Sequence, residues 1–438
     1  MKKGIYISLF LIIFISYGEL YSQEYWIQQP SPTSKYLRSI FFTDTLKGWI
    51  SGDSGLIIHT TDKGMTWTTQ PTGLNREVNS LFFINANTGF ALSWEFNAVP
   101  PNYYGTRILS TVNGGLNWSN YLFPDTNLFL NTIYFRDPLN GYMAGSDGKI
   151  FYTTNMGSVW HQAYVDSAAN FSFPIEKIKF FDSNTGFAAG GAFDIAGMMW
   201  KTTDGGLNWW SVIVGPEPMN DMYIFDVNNI ICAGGDFEYG PSKLTTTNSG
   251  LNWIYTEFGI FGIANSIDFR TYNEGWISLG IVDTFLFTTD HGNNWNSVSA
   301  PNNSRIYDIQ FIDQRNGWAV GNGGVILKYN AGIIGINENS YGIPDKIILH
   351  QNYPNPFNPS TRISYDLKSS GNVSLKIFDV SGKEITTLVN DFQHAGSYFY
   401  DFNASTSARQ GINLSSGLYY YRLSSGEFSV TKKMLLIK

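Results

Sequence analysis

Short apolar runs alternate with polar turns along this chain, and they keep returning in one fixed order. Ser39-Ile40-Phe41-Phe42 is followed by a polar turn and then by glycine with an aromatic residue, Gly48-Trp49. Equivalent runs stand at 80–83, 132–135, 177–181, 266–269 and 308–311. Their partners are Gly89-Phe90, Gly141-Tyr142, Gly186-Phe187, Gly275-Trp276 and Gly317-Trp318. The fifth unit departs from this and reads Asn229-Ile230. Runs this short, rich in Ile and Phe and bounded by Gly, Asn and Asp, predict β-strands.

A third strand in each of the first six units leads into an octet of Thr-x-Asp/Asn-x-Gly-x-x-Trp form, which predicts the turn to a fourth strand. Its Asp or Asn residues are Asp62, Asn113, Asn155, Asp204, Asn248 and Asp290. Its tryptophans are Trp67, Trp118, Trp160, Trp209, Trp253 and Trp295. The tryptophans recur at spacings of 51, 42, 49, 44 and 42 residues, the period of one four-stranded propeller blade. Units begin near Tyr36, Val78, Leu130, Ile175, Asn220, Ala264 and Arg305, and the last stops at Tyr329 without its octet. Trp26 precedes Trp67 by 41 residues, so a strand at 24–28 is expected to supply the missing fourth strand and close the ring. The expected fold is all-β: a seven-bladed β-propeller over 23–330, closed by the N-terminal strand.

The octet is the Asp-box. Its Asp or Asn is suited to accept N–H groups within its own turn, and its Gly to take positive φ. Its Trp is expected to stack between adjacent sheets and bury a large apolar area. Asn replaces Asp in half of the boxes, which argues against acid catalysis there. The carboxylates per turn are too few for calcium.

After residue 330 the repeat ends, and a linker of small and polar residues is read over 331–344. The segment from Tyr353 to Pro359 carries three prolines, which suit an extended entry rather than a central strand. Alternating strands are expected at 361–367, 373–379, 384–389 and 397–402, then from Gly417 and from Phe428, giving a small Ig-like β-sandwich over 345–438. This module resembles the type A C-terminal sorting domain of type IX secretion cargo from Bacteroidota. The resemblance rests on Tyr353-Pro354-Asn355-Pro356-Phe357-Asn358-Pro359, on Phe378-Asp379-Val380-Ser381-Gly382-Lys383 and on Gly417-Leu418-Tyr419-Tyr420-Tyr421. The closing Lys432-Lys433-Met434-Leu435-Leu436-Ile437-Lys438 matches as well. It implies recognition by the type IX machinery and delivery to the outer surface or beyond. The repeat region is similar to the photosystem II assembly factor and BNR/Asp-box superfamily, a likeness that implies fold and not activity.

Lys2 and Lys3, the apolar run from Ile5 to Ile15 and Ser22 read as a signal peptide over 1–22 for Sec export. The apolar run is too short for a permanent span, so no transmembrane segment is expected after cleavage. A net charge of −7 argues against a nucleic-acid partner. Cys232, the sole cysteine, lies in an apolar run and reads as a buried strand residue.

Candidate chemistry sits in the loops between second and third strands, where the second, fourth and fifth units carry insertions. Trp94, Phe96, Tyr103, Tyr104, Phe193, Phe237 and Tyr239 are the binding candidates, suited to stack on sugar rings or an extended peptide. The simpler alternative is that the aromatics of 94–104 only cover the end of their sheet. Catalytic patterns are weak: the five histidines show no metal-ligand spacing, and no phosphate loop or nucleophile elbow appears. No metal and no cofactor are expected. A carboxylate pair among Asp194, Asp236, Glu238 and Asp283 keeps a sialidase-like or xyloglucanase-like glycoside hydrolase open. The favoured reading is a non-enzymatic module binding a glycan or a protein, with an envelope-assembly scaffold as a further alternative.

Overall fold

The computed structural model describes residues 25–96, 104–125, 127–166, 172–333, 347–352, 355–368, 371–393, 396–404, 414–426 and 428–437. The expected signal peptide and most of the linker lie outside them. The chain divides into two compact units, 1–333 and 334–438. Both are built from strands, and the helical elements among the described residues are three single 3₁₀ turns.

In the first unit the repeat folds into a series of antiparallel sheets. The first consists of Leu37–Phe42, Gly48–Gly52, Ile57–Thr60 and Thr68–Gln70 in sequence order. Later sheets begin with Val78–Phe83, Leu130–Phe135, Ile175–Phe180, Met219–Ile224, Ala264–Phe269 and Ile306–Phe311. The sheet that starts with Ile306–Phe311 has three strands of its own, and Trp26–Gln29 completes it antiparallel to Ile326–Tyr329, with Trp26 opposite Tyr329. Successive first strands touch one another, and Ile306–Phe311 touches Leu37–Phe42, so the series closes on itself. One strand had no counterpart in the repeat: Tyr164–Val165 adds to the fourth sheet, parallel to Asn208–Gly215. Cys232 is buried in its strand.

The glycine–aromatic pair is explained by two contacts. The glycine lies under the last aromatic of its own first strand: a Cβ on Gly48 would fall 2.6 Å from the Phe42 ring, and on Gly275 2.5 Å from Phe269. In the fifth unit Ile224 replaces the phenylalanine and pairs with Ile230, which replaces the glycine. The departure in that unit is therefore compensated: without the ring, the glycine is no longer required. The aromatic of the pair crosses to the next sheet. Trp49 stacks on Phe83 at 3.7 Å, Trp318 on Phe42 at 3.6 Å and Tyr142 on Phe180 at 4.3 Å between ring centroids. Their polar ends donate to the next octet turn: Trp49 Nε1 to Gly114 O at 3.0 Å, Trp318 Nε1 to Lys63 O at 3.1 Å, Tyr142 Oη to Gly205 O at 2.6 Å.

Each octet is a self-satisfied turn. In the first, Thr60 Oγ1 donates to Asp62 Oδ1 at 2.8 Å and accepts the Gly64 N–H at 3.0 Å, while Asp62 Oδ1 accepts the Thr66 N–H at 2.9 Å. Gly64 has φ +81°, and Trp67 Nε1 donates to Gly64 O at 3.1 Å. Hydrogen bonds from Thr66 hold the Asp62 carboxyl down at about 2. In the turns of Asn113, Asn155, Asp204, Asn248 and Asp290 the threonine hydroxyl makes the same bond.

The octet tryptophans differ from the expectation in one respect. Trp67, Trp118, Trp160, Trp209, Trp253 and Trp295 each pack into or against an apolar core shared by their own sheet and the one before it. They fill the space between sheets, but edge-on rather than stacked. Trp67 meets Phe42 at 6.0 Å, Trp118 meets Phe83 at 5.9 Å and Trp160 meets Phe135 at 6.1 Å. Trp209 meets Phe180 at 5.8 Å and Trp295 meets Phe269 at 6.1 Å. In the first four of these pairs the face of the phenylalanine is already taken by the aromatic crossing from the preceding sheet. Trp253 has Ile224 where the others have that ring, and its core holds Phe187 and Met222 instead. Trp209 and Trp295 repeat the bond of Trp67, to Gly206 O at 3.0 Å and Gly292 O at 2.9 Å. Trp118 donates instead to Gln70 Oε1 at 3.1 Å.

In the second unit, Ile348–Leu349, Ser360–Leu367 and Gly396–Asn403 form one sheet. Glu384–Gln393, Gly371–Phe378, Gly417–Ser425 and Phe428–Leu436 form the other. One apolar core includes Ile363, Leu375, Tyr421 and Met434. Phe357 from the proline-rich segment is 2% exposed in it. Its N–H donates to Leu435 O at 2.9 Å, and Ile437 N–H donates to Phe357 O at 3.0 Å, which docks the segment on the last strand.

Gly275→Ala is expected to lower stability by about 1–3 kcal/mol through overpacking against Phe269. Adding Phe269→Ile should make the pair cost less than the sum of the single changes, read by urea denaturation as a double-mutant cycle. Phe357→Ala should cost the second unit about 3–5 kcal/mol, seen as earlier proteolysis of that unit in a denaturant series.

Candidate functional site

Each first strand carries a bulge after its first residue. The second, third and fifth positions of these strands then hold the inward polar chemistry. At the third position, Asp221 Oδ1 lies 3.4 Å from Lys177 Nζ and 3.3 Å from Lys179 Nζ. Ser266 Oγ lies 3.0 Å from Asp221 Oδ2 and 3.0 Å from Asp308 Oδ1. One hydroxyl hydrogen cannot serve two carboxylates, so one of these contacts calls for a proton on a carboxyl. Burial pushes Asp308 up, against the Lys177 charge, whereas Asp221, although burial opposes it, is held down by Lys177 and Lys179. Of the two carboxyls, Asp308 is therefore the one shifted toward holding a proton. Asp308 Oδ2 and Asp268 Oδ2 each reach forward to a neighbouring first strand, accepting the N–H of Ile40 at 2.9 Å and of Phe311 at 2.7 Å. Burial pushes the Asp268 carboxyl up to about 7.

The second positions meet at one end of this stack, around a cavity of 590 Å³. Asn79, Asn220, Asn265 and Tyr307 line it with Arg38, and Phe193 and Phe237 reach it from the insertion turns. Asn79 Nδ2 donates to Leu130 O at 3.3 Å and Asn220 Nδ2 to Ala264 O at 2.9 Å. Arg38 Nε lies 3.0 Å from Asp53 and 3.3 Å from Glu77, and its guanidinium lies over the Tyr307 ring at 5.3 Å. The lining thus combines amides and aromatic rings with Ile263, Ile281 and a second arginine, Arg305, beside the paired Arg38.

The structure separates the candidates read from sequence. Phe193 and Phe237 are exposed, at 50% and 61%, and share the cavity. Trp94 instead donates from Nε1 to Leu130 O at 2.8 Å and packs on Phe129, and Phe96 stacks on Phe129 at 5.1 Å. These two cover the end of the neighbouring strand. Tyr103 and the Tyr104 side chain lie outside the described residues. Tyr239 is exposed, and the charge of Glu238, with burial adding to it, pushes its phenol up.

Among the acids, Asp194 and Asp236 come together, while Asp283 belongs neither to their cluster nor to the cavity lining. Their companion is Glu217, a residue the repeat pattern passes over. It lies in Pro216-Glu217-Pro218, the connector between the fourth and fifth sheets, and that stiff flanking was the only local signal of its placement. Asp194 takes φ +59° at the tip of its turn. Asp236 Oδ1 accepts the N–H of Glu238 at 3.1 Å and of Tyr239 at 2.7 Å. Burial, and then the charges of Asp236, Asp194 and Glu238, push the Glu217 carboxyl up, against the Asp194 N–H bonded to it.

Comparison with known proteins divides the chain as the fold does. Residues 351–438 match the family of the secretion system C-terminal sorting domain. Residues 229–330 match the photosynthesis system II assembly factor YCF48 family. The chain joins a YCF48-like repeat to a secretion sorting domain. Photosystem II stability/assembly factor HCF136 of Arabidopsis thaliana is 34% identical over 71 residues, 16% of this chain and 17% of that protein. A solved structure of YCF48 bound to D1 peptide is similar with a TM-score of 0.55 at 20% identity, over 70% of this chain and 97% of that one. The GH74 enzyme of Niastella koreensis is similar with a TM-score of 0.54 at 12% identity, over 93% of this chain and 74% of that one. At such identities these structures share the propeller-like fold alone. The sorting domain implies handling by the type IX secretion machinery and delivery to the cell surface or outside. No helix among the described residues is long and apolar enough to cross a membrane.

The raised Asp268 carboxyl makes a signed prediction. Its folded value near 7 exceeds the ordinary unfolded value of about 3.9, so the folded state keeps the proton longer. Stability should fall as pH rises from about 4 to about 7 and level off above. Asp268→Asn should flatten that decline, measured as the urea midpoint between those pH values.

Proposed function

We propose that this protein is a secreted or surface-exposed binding module without catalytic activity, whose ligand is an extended segment of a partner protein. In this reading, residues 1–22 direct Sec export and 23–330 form a seven-bladed propeller closed by the N-terminal strand. Residues 331–344 are the linker, and 345–438 form an Ig-like sandwich read by the type IX machinery. The closed cycle of first-strand contacts supports the ring, and the two sheets around one core support the sandwich.

The observation that carries the binding site is the cavity where Asn79, Asn220 and Asn265 meet the exposed rings of Phe193 and Phe237. Primary amides both donate and accept, so they suit the N–H and C=O groups of a peptide backbone. Flanking phenyl rings suit apolar side chains that alternate along it. A structural relative has been solved with a bound peptide, which favours a peptide over a glycan for this chain.

The second reading, a glycoside hydrolase using Asp194, Asp236 or Glu238, draws on the GH74 likeness. Against it stands Asp236, which is buried at 3% exposure and has its Oδ1 occupied by the N–H groups of Glu238 and Tyr239.

Full-length protein tested on peptide and glycan arrays separates the two readings. We expect peptide retention that weakens about tenfold or more when Phe193 and Phe237 are both changed to Ala, with secondary structure unchanged by circular dichroism. Retention on glycans alone would refute the peptide reading. Reducing-sugar release that vanishes in Asp236→Asn and Glu238→Gln variants would establish the hydrolase.

A further inference from the structure

We infer that Asp194, Glu217 and Asp236 form a calcium site that ties two insertion turns to the connector between their sheets. One carboxylate oxygen from each residue lies within 4.8 Å of the others. Three like charges at such spacing repel one another, and Glu238 adds a fourth nearby. Among the described residues no lysine or arginine forms an ion pair with any of the three.

A second observation is independent of that clustering. Glu217 is completely buried, its Oε2 accepts the Asp194 N–H at 3.1 Å, and its Oε1 is buried with no hydrogen-bond partner. An oxygen placed so is a ligand in search of a cation, because buried carboxylates are otherwise paired or bonded. Pro216 and Pro218 restrict the backbone on either side of Glu217, so its placement is built into the connector. Asp236 is likewise preset, since the N–H groups of Glu238 and Tyr239 occupy its Oδ1.

The identity of the ion follows from donor type and number. An all-oxygen, all-carboxylate set selects a hard cation over zinc or copper. Calcium takes six to eight oxygen ligands in a flexible geometry, whereas magnesium keeps several waters and is held by one or two carboxylates, so a set of three carboxylates favours calcium. The three oxygens lie within 4.8 Å of one another, close enough for one such ion to bridge. Asp194 is exposed, so water can reach the site to complete its coordination.

The site departs from the sequence expectation of no metal and lies outside the Asp-box turns. It stands apart from the peptide reading, although it would also hold Phe193 and Phe237, each adjacent in sequence to a ligand, in place.

The test uses full-length protein stripped with chelator and titrated with CaCl₂ or MgCl₂ alone, followed by calorimetry and thermal unfolding. We expect one calcium per chain with a Kd of about 10⁻⁴–10⁻³ M, as for other extracellular sites, and a rise in Tm that magnesium does not match. Glu217→Gln should abolish both the heat and the rise, yet melt above wild type in chelator because one repelling charge is gone. Asp194→Asn, on an exposed turn where solvent screens its charge, should weaken calcium about tenfold and raise the chelated Tm less than Glu217→Gln does, and it decides the matter should Glu217→Gln fail to fold. No heat and no shift at about tenfold above the expected Kd, equal stabilisation by magnesium, or unchanged calcium affinity in Asp194→Asn would overturn the assignment.

Discussion

The first unit depends on one contact made again and again between neighbouring sheets. In four units the aromatic that follows the repeated glycine stacks on the phenylalanine of the next first strand, and at Trp49, Tyr142 and Trp318 its N–H or O–H donates to the next octet turn. Area burial and a directional bond act in the same place, so the contact holds both the distance and the rotation between sheets. Glycine is demanded because the phenylalanine ring of its own sheet lies across it. Where that ring is missing, at Ile224, the glycine is missing too. The octet tryptophan closes the same cluster from the side, as Trp118 does against Phe83 beneath Trp49. After the sixth sheet there is no further octet, and Trp26 takes up the role: it stacks on Phe285 at 5.4 Å and meets Trp276 edge-on at 5.5 Å. The chain's start is thereby joined to the repeat's end.

Because these clamps sit at the octet end of each sheet, the opposite end is free to vary. Its insertions carry the exposed rings of Phe193 and Phe237, and its connectors carry Glu217. Between the two ends runs a column of ionisable groups, buried at Asp221 and half-buried at Lys177, Lys179, Asp268 and Asp308, in which the aspartate oxygens also bond the backbone of neighbouring first strands. Such polar networks hold only when their members are satisfied together, and here Ser266 links Asp221 to Asp308. The variable end is therefore mounted on a rigid frame, the usual arrangement for recognition by loops.

How much was legible differs from residue to residue. The octet roles of Asp62, Gly64 and Thr60 were readable because every partner lies within a few residues of chain. The attitude of the octet tryptophans was not: Trp160 and Trp209 turn their edges to Phe135 and Phe180 because Phe90 and Tyr142, from another unit, already cover those faces. The completing strand around Trp26 was readable because a repeat that lacks one strand must find it elsewhere, and the period located it. Trp94 and Phe96 were ambiguous, since an aromatic in a loop has the same sequence signature whether it binds or covers. In the fold they pack on Phe129 as cover. The Tyr164–Val165 strand gave no signal, being two residues long and outside the repeat.

The sequence by itself determined the order of strands, the turns between them and the closing of the series, because alternation and turn chemistry act over a few neighbouring residues. It also determined the export tail, whose motifs are contiguous. Only the tertiary structure decided which residues of different units meet: Asn79 with Asn220 and Asn265 around one cavity, and Glu217 with Asp194 and Asp236. Those residues stand 19 to 186 positions apart, and no local rule relates them. Their meeting follows from the rotation between sheets, a property of the packed ring and not of any one strand.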